Sequence, residues 1–282
     1  MPGAPDPLYV AARRVLLDAL QAVRGHLDAL VLVGAQAVYI HTGNGDLAVA
    51  PYTTDGDIAI DPTQLGPEPV LEQALSGAGF GQEPSVVGIW RRRVEIAGDV
   101  KWVNVDFLVP DSLGGSGRRG ARIPPHGNNV ARKVIGLEAA LVDRDRRHID
   151  ALEAGDSRRF EMWVAGPAGL LVAKVHKIGE RVEAQDRLSD KDALDVYRLL
   201  RTIPTEELTQ RMRGLQDNEL SRDVSRVAIE LLPKLFGSPT APGCQMAVRS
   251  AGRLIDSDTL AASLVALTED LLRDLAGRTA ER

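Results

Sequence analysis

The spacing of apolar positions changes character along the chain. Over residues 8–24, LYVAARRVLLDALQAVR, apolar residues recur three and four apart, which predicts an amphipathic helix. The run DALVLVG is short, β-branched and closed by Gly34, as a buried strand would be. AQAVYIHTG returns to helical character and stops at Gly43. TDGDIAID alternates with a period of two, and LGPEPVLEQALSGAGF predicts a helix ending at Gly77 and Gly79. SVVGIWRRRVEIAG and KWVNVDFLVP predict two further strands, the second closed by Pro110.

Residues 111–127 lose this periodicity and are rich in Gly, Pro and Arg, which predicts a long loop with a functional role or freedom to move. Past it, ARKVIGLEAALVD and RRFEMWVAG are each expected to hold a strand, and Pro167 suits the first turn of a helix PAGLLVAKVHKIGERVEA. DKDALDVYRLLRT, TEELTQRMRGLQ, LSRDVSRVAIELLPKLF, CQMAVRSAGRLI and DTLAASLVALTEDLLRDLAG all read as helices. The expected class is α/β (α+β), a mixed sheet flanked by helices and followed by a mostly helical part, with domains at 1–165 and 166–282.

The chain has 282 residues, 44% of them hydrophobic, enough for one large or two modest cores. It has no basic start leading into an apolar stretch and no run of about eighteen apolar residues, so neither a secretory signal nor a membrane span is expected, and the expected address is the cytoplasm. Cys244 is the only cysteine, which excludes an intrachain disulfide and a thiolate-rich metal site. The formal charge of −5 argues against a uniformly basic nucleic-acid coat. Arg91, Arg92 and Arg93 nevertheless sit together, and Arg118, Arg119, Arg122, Arg132 and Lys133 gather in or beside the irregular loop. Such a cluster could hold phosphates or form solvated surface.

The chemistry lies in the acids. On a strand, Asp55 and Asp57 point to one face with Gly56 on the other. Two adjacent carboxylates repel, and a hard divalent cation such as Mg²⁺ would offset them. On VNVDFLVP, Val103, Val105, Phe107 and Val109 share a face, which places Asp106 on the opposite one. A carboxylate on so apolar a strand is costly unless ligated or paired. If the two strands are neighbours, three carboxylates converge, enough for two Mg²⁺ ions about 3.5–4 Å apart and for phosphoryl or nucleotidyl transfer. The histidines His41, His126, His148 and His176 lack metal-ligand spacing and are expected at the surface or as caps.

LVLVGAQAVYIHTG, YTTDGDIAID and VNVDFLVP, in that order, resemble the polymerase-β-type nucleotidyltransferase superfamily. LLVAKVHKIGER followed by SDKDALDVYRLL resembles the helix pair of AbiEii-like (MenT-type) nucleotidyltransferase toxins of type IV toxin–antitoxin systems, so that the likeness spans residues 28–200. It implies a nucleotidyltransferase-type fold, with Asp55, Asp57 and Asp106 as ligands of Mg²⁺ and an NTP as substrate. It also implies Gly34 and Ala35 at the phosphate turn, Thr53 or its rival Thr54 on phosphate, and Lys174, Lys177 and Arg181 as phosphate-binding cations. Asp192, with Asp195 one turn on, matches the acid of the second helix. The implied acceptor is a tRNA 3′ end, and the implied partner a cognate antitoxin.

The sequence departs from that pattern in two places. Ala35 stands where the family often has Gly or Ser, and Pro51 where it has an arginine. By the residues alone, Lys174 and Lys177 also read as the polar edge of an amphipathic helix, and Asp192 and Asp195 as surface pairs with Lys191 or Arg198. Transfer to a small molecule, and a non-catalytic nucleotide- or partner-binding module, are the alternatives.

Overall fold

The structure is a computed structural model that describes residues 5–43, 52–96, 98–184 and 190–277. Pro51 lies outside the described residues. The chain divides into two compact units: the first holds Met1–Ala37, Pro51–Leu137 and Arg144–Ala165, the second Val38–Ala50, Glu138–Asp143 and Gly166–Arg282. No helix among the described residues is long and apolar enough to cross a membrane.

The first unit is built on an eight-stranded mixed sheet. Its strands are β1 (Leu30–Val33), β2 (Asp55–Ile60), β3 (Gly81–Gln82), β4 (Ile89–Ile96), β5 (Asp99–Pro110), β6 (Arg132–Val134), β7 (Arg144–Asp150) and β8 (Arg159–Ala165). They run in the order β3-β4-β5-β2-β1-β8-β7, with β6 beside the end of β5. All of β1 is buried, and it is a central strand, between antiparallel β2 and parallel β8. A strand covered on both sides reads as a continuous apolar run.

Helix α1 (Pro7–Ala22) starts at Asp6, whose side chain accepts from the Leu8 amide at 2.7 Å, with Pro7 in the first turn. Its stripe of Val15, Leu16, Ala19 and Leu20 is fully buried, and the helix packs on β2, β4 and β5. A side chain of that size contributes about 1.5–3 kcal/mol when buried. This packing decides the two sheet faces. A Cβ on Gly56 would lie 3.2 Å from the Leu16 side chain, so Gly56 faces α1 and the aspartates on either side of it face away.

Three elements gain detail beyond the sequence reading. ARKVIGLEAALVD holds the expected strand as the short β6, and the chain then enters helix α4 (Leu137–Val142). β7, RDRRHID, has almost no apolar residue to betray a strand, and its pairing with β8 supplies the signal instead. The irregular segment after Pro110 is tied down: Ala121 donates to Ala131 O at 2.9 Å, Arg122 to Gly114 O at 2.9 Å and Lys133 to Arg119 O at 2.8 Å. Ala121, Ile123 and Val130 are buried beneath it.

The second unit takes in α5 (Pro167–Ala184), α6 (Asp190–Thr202), α7 (Thr205–Asp217), α8 (Arg222–Phe236), α9 (Pro242–Ala251) and α10 (Ser257–Gly277). Asp143 caps α5 by accepting from the Gly169 amide at 2.8 Å and pairs with Arg211 at 2.7 Å. A Cβ on Gly166 would lie 2.2 Å from that carboxylate, so a larger residue there would displace Asp143 from its cap. Helix α6 packs against α5 and α9 and is buried from Asp192 to Leu200.

Candidate active site

The register of β2 and β5 brings the acids together. Asp57 stands directly opposite Asp106 and Asp55 opposite Asn104 in a parallel pair, so all three carboxylates lie on the sheet face turned away from α1. Asp106 is only 7% exposed. Burial first, then the Asp57 carboxylate and more weakly that of Asp55, push its carboxyl up to about 7, against the pull of Arg132.

Arg132, on β6, donates to Asp106 at 2.7 Å. The sequence placed it among general loop cations. Its specific role comes from β6 pairing with β5, which puts Leu108 opposite Arg132. Among the described residues no group of three or more His, Cys, Asp or Glu side chains forms a ready metal cage, and one Asp106 oxygen is turned to Arg132.

Helix α2 (Gly34–Thr42) begins at the acids. Val33 is opposite Asp57 across the antiparallel β1–β2 pair, and Gly34, at φ +70°, follows at once. A Cβ on Gly34 would lie 2.0 Å from Asp57 Oδ2. Both the left-handed backbone and the approach of Asp57 demand glycine. Gly34→Ala is expected to cost about 1–3 kcal/mol of stability and to displace Asp57. An unchanged urea midpoint would contradict this account. Ala35 is buried beside it in the first turn.

Thr53 and Thr54 separate cleanly. Thr53 is buried, and its hydroxyl donates to Asp55 Oδ1 at 2.5 Å, whereas Thr54 is exposed. Thr53 therefore orients the carboxylate of Asp55. Behind it, Gln36 donates to the Asp55 carbonyl at 2.9 Å and accepts from Arg13 at 2.7 Å; Arg13 also donates to Asp150 O at 2.8 Å. This buried support for β2 joins residues 23 and 137 positions apart in the chain, a pairing that no local pattern in the sequence carries.

In the second unit, α5 presents Lys174, Lys177 and Arg181 to the fully buried Asp192 of α6. Lys174 donates to Asp192 at 2.5 Å and to Asp195 at 2.7 Å, Lys177 lies 3.2 Å from Asp192, and Arg181 also bonds it. Burial alone would raise Asp192 and lower Lys174, but each group's partners outweigh it. Asp192 is held far below the usual carboxylate range and Lys174 well above the usual ammonium range. Lys174 and Asp192 are sealed, whereas the side chains of Lys177 and Arg181 keep 35% and 25% of their exposure. The reading of Asp192 and Asp195 as surface pairs is thus replaced by a buried network.

Of the histidines expected at the surface or as caps, His126 and His176 are buried, and His126 does cap a helix. His126 accepts from the Leu71 amide at 3.2 Å, at the start of helix α3 (Leu71–Gly77), and donates to Gly66 O at 2.8 Å. Neutral imidazole meets both needs, and burial lowers the pKa of His126. His176 bonds Val224 O at 2.8 Å. The Cys244 thiol is buried, and burial pushes it up to about 11, which suits no nucleophile.

The fold and site define a mixed α/β protein with an acidic row on one sheet face and a separate helical unit. The chain is similar to the crystal structure of JHP933 from Helicobacter pylori, with a TM-score of 0.50 and 12% identity over 98% of this chain and 95% of that chain. At that identity the likeness concerns the fold alone. No protein-family model and no curated protein matches the chain.

Proposed function

We propose that this chain is a Mg²⁺-dependent nucleotidyltransferase that moves a nucleoside monophosphate from an NTP to a hydroxyl, releasing pyrophosphate. The acceptor is a tRNA 3′ end, and the protein acts in the cytoplasm as the AbiEii-like toxin of a toxin–antitoxin pair. The observation that carries the reading is the row of Asp55, Asp57 and Asp106 on two parallel strands, with Gly34 against Asp57 at the start of α2. These carboxylates would hold the metal as hard oxygen donors, with one Asp106 oxygen shared with Arg132. Bound there, Mg²⁺ would neutralise charge on the leaving pyrophosphate and ready the attacking hydroxyl.

The chain's own residues have separable roles. Thr53 fixes Asp55, and Gly34 lets Asp57 sit against the start of α2, whose first amides can take a phosphate. Asp106 orients the acceptor hydroxyl. Lys177 and Arg181 offer charge to phosphate, and Lys174 and Asp192 position them. Thr53→Val is expected to lower transfer about 10- to 100-fold and to raise the Mg²⁺ concentration needed, as loss of an outer-shell bond does. Thr54→Ala should leave both near wild type. Equal losses in the two variants would refute the assignment.

Incubation with Mg²⁺, labelled NTPs and total RNA tests the function. Label on tRNA is expected. Label on small molecules alone would reject the RNA acceptor. No label anywhere, together with wild-type nucleotide binding by the Asp55→Asn, Asp57→Asn double variant, would reject catalysis.

A further inference from the structure

The β4–β5 hairpin carries an exposed aromatic on the same face as the acids. Side chains alternate along β5, so Trp102, Asn104 and Asp106 point the same way. The register sets Arg93 opposite Trp102 and Arg91 opposite Asn104. The two guanidinium carbons lie 4.6 Å (Arg91) and 5.8 Å (Arg93) from the Trp102 ring centroid. Trp102 is nonetheless 54% exposed.

The hairpin does not need this indole for its packing. The residues beside it that are buried, Val103 and Val105 with Trp90 across from Val105, are on the opposite face, the one α1 covers. A cross-strand contact between arginine and tryptophan gives a little stability but leaves the ring open. Arg91 is tied to Glu83, whereas Arg93 is exposed and has no carboxylate partner among the described residues. An open aromatic face beside an uncommitted guanidinium suits a nucleobase stacked on the ring with its phosphate at the arginine.

We propose that Trp102, flanked by Arg91 and Arg93, is a stacking platform for an unpaired base near the acceptor end of an RNA. The inference rests on the nucleotidyltransferase reading in one respect, namely that an RNA end is what reaches the acids. Trp102 and Asp106 are four residues apart on one strand, about 13 Å at about 3.3 Å per residue. A single strand stacked on Trp102 reaches the acidic row within a few nucleotides, and a small acceptor would not span that distance. The base must be unpaired, because pairing and stacking within a duplex cover the faces that the indole would take.

Fluorescence anisotropy with a labelled single-stranded RNA of about ten nucleotides, without NTP or Mg²⁺, reads this binding apart from catalysis. The wild type should bind that strand more tightly than the same RNA annealed into a blunt duplex. Trp102→Ala should weaken binding about tenfold, and Trp102→Phe, which keeps a stacking ring, by much less. Arg93→Ala should weaken it and flatten its salt dependence. Loss of an exposed contact should lower the melting temperature by a few degrees at most, so all three variants should be fully folded at the assay temperature and a loss of binding would not be a loss of fold. Equal affinity of Trp102→Ala and wild type, equal affinity for duplex and single strand, or no binding by the wild type would each overturn the platform. Label transfer from NTP is scored in a separate reaction. Transfer without Trp102-dependent binding removes only the platform, and Trp102-dependent binding without transfer removes only the catalytic reading.

Discussion

Asp106→Asn is expected to abolish nucleotidyl transfer while making the protein more stable at pH 8. Transfer should fall by at least about 10²–10³-fold, since on the proposed reading the carboxylate that readies the acceptor hydroxyl is lost. The stability gain has a separate cause. Asp106 sits among like charges in a buried place, and its carboxyl is pushed up to about 7, well above the value of about 3.9 in an unfolded chain. A raised carboxyl destabilises the fold in its charged form. That penalty is absent below about pH 4, grows as pH rises through the window between the two values, and is complete above about pH 7. The variant should therefore melt above the wild type at pH 8, by about 1–2 kcal/mol once the weakened Arg132 pair is allowed for, and lose that advantage toward pH 4. Thermal melts at both pH values, beside the transfer assay, decide it. A variant less stable than wild type at pH 8 would mean that the Arg132 pair outweighs the repulsion.

Asp192→Ala should be the most destabilising single change in the helical unit, costing about 3–5 kcal/mol. It leaves Lys174, 4% exposed and bonded to both Asp192 and Asp195, with one partner in place of two. Lys177 and Arg181 lose their common anchor as well. The pH dependence has two edges. Asp192 is depressed, so its contribution is present above about pH 4 and is lost as pH falls; Lys174 is raised, so its contribution is present below about pH 10 and is lost as pH rises through its folded value. The gap in urea midpoint between wild type and variant should be level near neutrality and narrow toward acid and strong alkali. A gap below about 1 kcal/mol at pH 7 would show that the network contributes little beyond surface pairs.

Several elements were legible because their signal is local. The alternation of TDGDIAID, the glycine stop after LVLV and the helical spacing of α1, α5 and α6 each come from neighbours within a turn or two. What escaped lies in contacts across the chain. β7 is a strand because β8 pairs with it, and Arg132 matters because β6 docks on β5. Nothing local in KWVNVDFLVP marks Trp102 as exposed, because exposure depends on which face α1 covers.

By itself the sequence determined the α/β class, the single-cysteine chemistry, the shared face of Asp55 and Asp57 and the placing of Asp106 on the face of its strand opposite Val103, Val105 and Phe107, since strand alternation is a property of the backbone alone. Only the tertiary structure decided that β2 and β5 are parallel neighbours in the register that sets Asp57 beside Asp106. It also decided that Gly34 is required by the Asp57 carboxylate, that Thr53 rather than Thr54 holds Asp55, and that Asp192 is sealed beneath three cations. Each of these depends on the distance between side chains far apart in the chain, which is fixed by strand register and helix packing, and no local periodicity encodes it.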